Sequence, residues 1–345
     1  MELKEYLEQA VTAGASDIFL RMGHVVSYRI NGIIVPVGVE ATDAVEIEKM
    51  VAGLYAIAKR SMERYSKNGD DDFSVHLDGI ARFRVSAFRQ RGTMAAVIRV
   101  VPFFIPDYRS MHIPDEIMGI ASAGSGLVLV TGPAGSGKTT TLACIIDRVN
   151  KARNCHIITL EDPIEYLHED NKSIINQREI SIDTGSYVTA LRASLRQSPD
   201  IILLGEMRDL ETISTAMTAA ETGHLVISTL HTSGAVNTLD RIIDVFPPAQ
   251  QQQIRVQLSM ALKTVVSQLL LPRAEGGLVP AFEIMHVNNA VRTYIREGKT
   301  HQIDTVIETS SNQGMVSMEN SIAELYKEGH ITRKTVIDYG TYGGY

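Results

Sequence analysis

Apolar residues recur at helical spacing over residues 3–13, and the period then shortens to two: residues 18–21, 25–30 and 33–37 alternate as strands do. Asn31-Gly32, between the last two runs, supplies the residue types of a type I′ turn and predicts a β-hairpin. A helical pattern returns over 45–58, through Val45, Ile47, Met50, Val51, Leu54 and Ile57, and residues 73–77, 81–89 and 94–100 read as further strands. These elements predict a small α/β module of about one hundred residues. Pro102, Pro106 and Pro114 punctuate the stretch that follows, which reads as a linker.

Beyond the linker the pattern changes character. Near-continuous apolar runs at 127–130, 156–160, 201–204 and 225–229 mark strands buried on both faces, and helical runs at 140–150, 187–197, 210–222 and 235–244 alternate with them. Such alternation predicts a parallel sheet wrapped by helices. After Pro247-Pro248 the reading is one long helix over 249–271 and a mostly helical tail ending near residue 337. The expected organisation is a first domain over 1–100, a linker over 101–115, and a second domain over 116–345 whose part from about 248 onward is helical.

Length and composition narrow the field. With 345 residues, 44% hydrophobic and 21% charged, the chain is an ordinary globular protein of about two domains. The net charge of −7 argues against non-specific nucleic-acid binding as its main role. No apolar run approaches the roughly 18 residues of a membrane helix, and residues 1–9 do not resemble a signal peptide, so the expectation is a cytoplasmic protein without direct membrane insertion. The two cysteines, Cys144 and Cys155, lack the spacing of a zinc site and are expected to pack as small apolar residues in a reducing compartment.

Candidate chemistry begins with Gly132-Pro133-Ala134-Gly135-Ser136-Gly137-Lys138-Thr139, which fits G-x-x-x-x-G-K-[ST] with a strand before it and a helix from Thr140 after it. In this motif the backbone curls so that N–H groups and the helix N-terminus face phosphate oxygens, Lys138 reaches the β- and γ-phosphates, and the Thr139 hydroxyl holds Mg2+. The chain is therefore expected to bind ATP or GTP. Hydrolysis further requires a carboxylate near the γ-phosphate. Glu206 follows the buried run 201–204, and Glu161, Asp162 and Glu165 follow another, so a parallel sheet would deliver all four to its carboxyl edge, beside the phosphate loop. Glu161 and Asp162 could hold Mg2+ through its waters or polarise the attacking water. His224 and His231 flank the run 225–229 and are candidates to sense the γ-phosphate. Positive charge for the transition state could come from Arg82, Arg84, Arg89, Arg91 and Arg99 of the first module, with residues 82 and 84 on one strand face and 89 on the other. Arg192 and Arg196, four apart on a predicted helix, are weaker candidates of the same kind.

Taken together these stretches resemble the PilT-like ATPases that power type IV pilus retraction, within the type II and type IV secretion ATPase superfamily. The resemblance covers essentially the whole chain. It is carried by the phosphate loop, by Ile158-Thr159-Leu160-Glu161-Asp162-Pro163-Ile164-Glu165-Tyr166, similar to the family's aspartate box, by residues 199–209, similar to its Walker B region, and by residues 222–232, similar to its histidine box. It implies a PAS-like N-terminal α/β domain, a RecA-like P-loop ATPase core with a helical C-terminal tail, and a homo-hexameric ring that hydrolyses ATP with Mg2+. It also implies Glu206 as general base, Glu161, Glu165, His224 and His231 around the same nucleotide, and Arg84 and Arg99 on its phosphates. The implied partners are a PilC-like platform protein at the inner face of the cytoplasmic membrane and a PilU-like ATPase, with no nucleic acid. Residues 290–296 are similar to a C-terminal motif that retraction ATPases need, but depart from it at Val291, Thr293 and Tyr294. Neither a longer N-terminus nor a four-cysteine zinc module, as in extension and secretion ATPases, is present. Retraction and twitching motility are thus the expected function. A PilU-like accessory motor and a slowly hydrolysing, nucleotide-gated assembly scaffold stand as alternatives, and a nucleic-acid translocase is disfavoured by the acidic charge.

Overall fold

The computed structural model describes residues 2–30, 32–77, 79–101 and 105–340. The chain divides into two compact units, Met1–Phe104 and Ile105–Tyr345.

The first unit is a six-stranded sheet with three helices. Helix α1 (Leu3–Thr12) precedes strands β1 (Asp17–Arg21), β2 (Ser27–Ile30) and β3 (Ile33–Pro36); α2 (Ala44–Ile57) and α3 (Glu63–Asn68) precede β4 (Asp70–Leu77), β5 (Ala81–Gln90) and β6 (Thr93–Val101). The sheet order is β3-β2-β1-β6-β5-β4, with every pair antiparallel. Ile30 pairs with Ile33 across the expected hairpin, and Gly32 has the positive φ, +81°, that a type I′ turn needs at its second position; Asn31 lies outside the described residues. Period-two alternation divides β5 cleanly. Ala81, Phe83, Val85 and Ala87 are buried in a core with Leu7, Ile47, Val51 and Leu54, while Arg82 and Arg84 lie on the other face. Pro102 of the expected linker lies outside the described residues. From Ile105 the chain belongs to the second unit, where Ile105 and Tyr108 pack on its core and the Cys144 thiol meets the Pro106 carbonyl at 3.4 Å.

In the second unit a short helix α4 (Asp115–Met118) leads to β7 (Gly126–Thr131), α5 (Lys138–Ala152), β8 (His156–Glu161), β9 (Ile174–Glu179), α6 (Tyr187–Ser194), β10 (Ile201–Leu204), α7 (Leu210–Glu221), β11 (Leu225–Leu230) and α8 (Ala235–Asp244). There follow α9 (Pro248–Ala261), β12 (Leu262–Pro272), β13 (Leu278–His286), α10 (Asn289–Glu297), α11 (Ile303–Thr309), α12 (Met318–Lys327) and α13 (Arg333–Tyr339). The strands form one sheet, β13-β12-β7-β11-β10-β8-β9, parallel except at β13. Both faces are covered, and alternation sorts each strand between two cores. Leu127, Leu129, Ile158, Leu160, Ile202 and Leu204 enter one; Val128, Val130, Ile157, Ile201 and Leu203 enter the other, beneath α5.

The expected helix over 249–271 is corrected by this sheet. Its helical part stops at Ala261, and Leu262–Pro272 is a strand, parallel to β7 and paired with β13. β-Branched Thr264, Val265 and Val266 favour the extended form, and Val265, Val266, Leu269 and Leu271 bury on both sides of the sheet, which erases the alternation that would have marked a strand. The tail after His286 is helical. Edge strand β9 opens with Ile174 and Ile175 but continues with polar Asn176, Gln177 and Arg178, so it too lacks a continuous apolar run. Helix α6 ends at Ser194, so Arg196 lies beyond it, and Arg192 pairs with Glu211 at 2.6 Å.

Candidate active site

Parallel register brings four strand ends to one line. Leu204 of β10 pairs with Leu160 of β8 and Ser228 of β11, while Leu230 of β11 pairs with Thr131 of β7. The residues that follow therefore emerge together at the carboxyl edge of the sheet, where they surround a cavity of about 430 Å3. Residues 134–140 form one wall, and Glu161, Asp162, Glu165, Glu206 and His231 line the rest.

The phosphate loop is held from behind by β12. At Gly132, with φ +141°, an added Cβ would fall 2.2 Å from the Gln268 carbonyl; at Gly137, with φ +87°, it would fall 2.8 Å from the Gln268 side-chain nitrogen. Glycine is required at both on conformation and on space. Gln268 is buried and accepts a hydrogen bond from the Thr141 hydroxyl at 2.8 Å, tying β12 to the first turn of α5. Lys138 Nζ donates to the carbonyls of Gly132 and Pro133, each at 2.9 Å, so the ammonium folds back over the loop it belongs to. Burial lowers its pKa, with Glu206 and Glu165 opposing that effect. The Ser136 hydroxyl is buried without a hydrogen-bond partner among the described residues. A lysine seated on loop carbonyls and an unsatisfied hydroxyl beside it suit a cradle for phosphate oxygens.

Glu206 and Glu161 are the buried acids of the site. Arg208 Nη2 pins Glu206 Oε1 at 2.5 Å, while Oε2 is buried with no hydrogen bond among the described residues and has His231 Nε2 at 3.5 Å. The backbone before Glu206 is fixed as well: Thr229 Oγ1 donates to the Gly205 carbonyl at 2.5 Å, and the Tyr187 hydroxyl crowds the space a Gly205 Cβ would need. Burial, followed by the Glu206 carboxylate, pushes the Tyr187 phenol up, so it stays neutral. Glu161 Oε1 accepts from the Thr159 hydroxyl at 2.6 Å and from Gln177 Nε2 at 3.2 Å. Gln177 also donates to the Tyr166 carbonyl and accepts from the His168 N–H, and the Tyr166 hydroxyl meets Thr140 Oγ1 at 2.9 Å. The acidic loop after β8 is thereby strapped to both β9 and the phosphate-loop helix.

The structure brings together most of the expected residues, but not all. His224 sits at the start of β11, at the opposite end of the strand from His231; its Nδ1 lies 3.0 Å from the Ala219 carbonyl, and it closes the α7–β11 turn rather than joining this cavity. Arg84 and Arg99 are register partners on β5 and β6 of the first unit, and Arg99 pairs with Asp17 at 3.3 Å. Arg89 instead lies over the Tyr65 ring at 5.4 Å. Arg208, Gln177 and Gln268 were missed by sequence reasoning. Arg208 carried a signal, being two residues after the candidate base; the two glutamines act from strands that had not been recognised.

A family model described as type II/IV secretion system protein matches residues 1–340. The chain belongs to this family. It is 45% identical over 304 residues to a twitching motility protein of Neisseria gonorrhoeae, covering 88% of this chain and 81% of that one. It is 40% identical to the type IV pilus retraction ATPase PilT of Pseudomonas aeruginosa, covering 97% and 96% of the two chains. A crystal structure of the pilus retraction motor PilT with bound ADP superposes with a TM-score of 0.91 at 42% identity, over 98% of this chain and 96% of that one. The second unit is accordingly a RecA-like core, and the chain is a P-loop ATPase of the type II/IV secretion family.

Proposed function

We propose that this ATPase is the motor of type IV pilus retraction and hence of twitching motility, working as a homo-hexamer on the cytoplasmic side of the inner membrane against a platform protein. Support for the reading comes from the two pilus-linked relatives and from a hydrolytic site equipped for turnover. Among the described residues no helix is long and apolar enough to cross a membrane.

In this mechanism the phosphates lie along residues 132–140. Lys138 leaves the loop carbonyls for the β- and γ-phosphates, and the Thr139 hydroxyl, with Glu161 and Asp162 through water, provides oxygen ligands suited to Mg2+. The metal, when bound, would neutralise charge on the β- and γ-oxygens. Glu206 Oε2 accepts a proton from the water that attacks the γ-phosphate, and ADP and phosphate leave. Arg208 keeps the other oxygen occupied, so the carboxylate presents one defined lone pair to that water. His231 lies beside this oxygen and meets the γ-phosphate or the water. Arg84 and Arg99 of a first unit supply positive charge to the phosphates, where negative charge is spread over the γ-phosphoryl oxygens in the transition state. Cycles of this closure and release around the ring turn the platform.

The observation that carries the reading is the single unoccupied oxygen of buried Glu206 facing the phosphate loop. Glu206→Gln keeps the shape and removes the base. Phosphate release should fall by at least about 10²-fold while ATP binding persists. Cells carrying it should accumulate surface pili and lose twitching. Hydrolysis at the wild-type rate removes Glu206 as base; loss of pili instead of accumulation shows assembly rather than retraction.

A further inference from the structure

His231 begins a four-residue connection between the end of β11 at Leu230 and the start of α8 at Ala235. Its anchors lie on the last two strands of the sheet. Gly234 N donates to Ser267 Oγ on β12 at 2.8 Å, and Ala235 N donates to Glu283 Oε1 on β13 at 2.6 Å. Ser267 and Glu283 are direct cross-strand partners, so the two acceptors form one rigid pair. The backbone N–H of Met318, the first residue of α12, also favours the charged form of the Glu283 carboxylate. The carboxylate thus takes the first N–H of α8, where the helix dipole favours an anion. The turn needs glycine at residue 234, whose φ is +85°. Thr232 Oγ1 and Thr238 Oγ1, 2.7 Å apart, complete the turn.

Glu283 lies outside the nucleotide cavity and lines a separate one of about 530 Å3, with Ser233, Gly234 and Ser267. It therefore cannot act on phosphate itself. We propose that Glu283 is a positioning residue for ATP hydrolysis: with Ser267 it clamps the turn after β11 and so keeps His231 over Glu206. The proposal rests on the reading of His231 as part of the hydrolytic site. It makes β13, an antiparallel strand added to the edge of the ATPase sheet, a support for catalysis.

The test is steady-state ATP hydrolysis by the full-length protein. Glu283→Ala should lower kcat about tenfold and leave KM for ATP within about twofold, since a misplaced group costs the chemical step more than binding. Glu283→Gln retains an oxygen for the Ala235 N–H and should recover most of that loss. In a His231→Ala background, Glu283→Ala should add nothing further, because both changes remove the same function. Additive losses, or a raised KM with intact kcat, overturn the proposal and leave the histidine reading standing. Wild-type turnover by His231→Ala overturns both. Should Glu283→Ala fail to fold, the same cycle with Ser267→Ala decides in the same way.

Discussion

His168 and Glu283 titrate in opposite senses, and each ties the stability of the second unit to pH. Burial pushes the His168 imidazole down to about 4, with Asp147 opposing, and its Nδ1 is buried without a partner among the described residues. The unfolded chain takes up a proton near 6.5 that the folded protein refuses, so the His168 contribution is present above pH 6.5 and lost as pH falls towards 4. Glu283 is pushed up to about 7, chiefly by burial, with Asp304 and Glu319 adding to it and the Ala235 and Met318 N–H groups opposing. Its contribution is present below about 4.5, the unfolded value, and is lost as pH rises to 7. His168→Gln removes the first effect alone. Between pH 7.5 and 5 the wild type should lose about 2 kcal/mol more than the variant, read as a drop in its unfolding midpoint. Parallel pH dependence of the two proteins would show that His168 protonates freely in the fold.

At the scale of elements, β12 is the strand on which the phosphate loop leans. Gly132 faces its Gln268 carbonyl so closely that Gly132→Ala can be accommodated only by moving the loop or the strand, and φ +141° is closed to alanine in any case. That variant should retain its overall helix and sheet content by circular dichroism but lose ATP binding in titration calorimetry. Tight binding by Gly132→Ala would mean that the loop tolerates a different backbone path. The same strand shows why some of the fold was legible in sequence and some was not. Strands β7, β8, β10 and β11 announce themselves because short apolar runs stop at glycine, acidic or histidine residues, and those stops carry Gly132, Glu161, Glu206 and His231. Strand β12 follows α9 without a break, and its apolar Leu262, Val265, Val266 and Leu269 fall at a spacing that is as compatible with a buried helix. Its identity is decided by pairing with β7, a tertiary fact. The edge strand β9 is mostly polar, so its Gln177, which supports Glu161, was equally hidden. Side chains that do the chemistry were readable from motif spacing; those that hold them in place arrive from strands whose character depends on their neighbours.

For the whole molecule, the proposed role of the first unit's arginines rests on how their charges are paired. Arg84 and Arg99 are paired directly across β5 and β6, on the face opposite the first core. Like charges placed opposite one another in a sheet destabilise it, and among the described residues only Arg99 of the two has a carboxylate, that of Asp17 at 3.3 Å, as compensation. Such an arrangement has a stability cost that an anion on that face would offset, and the phosphates of a bound nucleotide are the anion the proposed motor supplies. Arg84→Ala should therefore raise the apparent melting temperature of the nucleotide-free protein slightly, by the few tenths of a kcal/mol of one cross-strand pair. It should also lower ATP turnover by about 10²-fold or more, as expected for loss of a cation that neutralises the transferring phosphoryl group. Both measurements belong on the same full-length preparation. Reduced stability with normal turnover would make Arg84 a structural residue of its own sheet, and the transition-state charge would then have to be neutralised by Lys138 and other groups of the second unit.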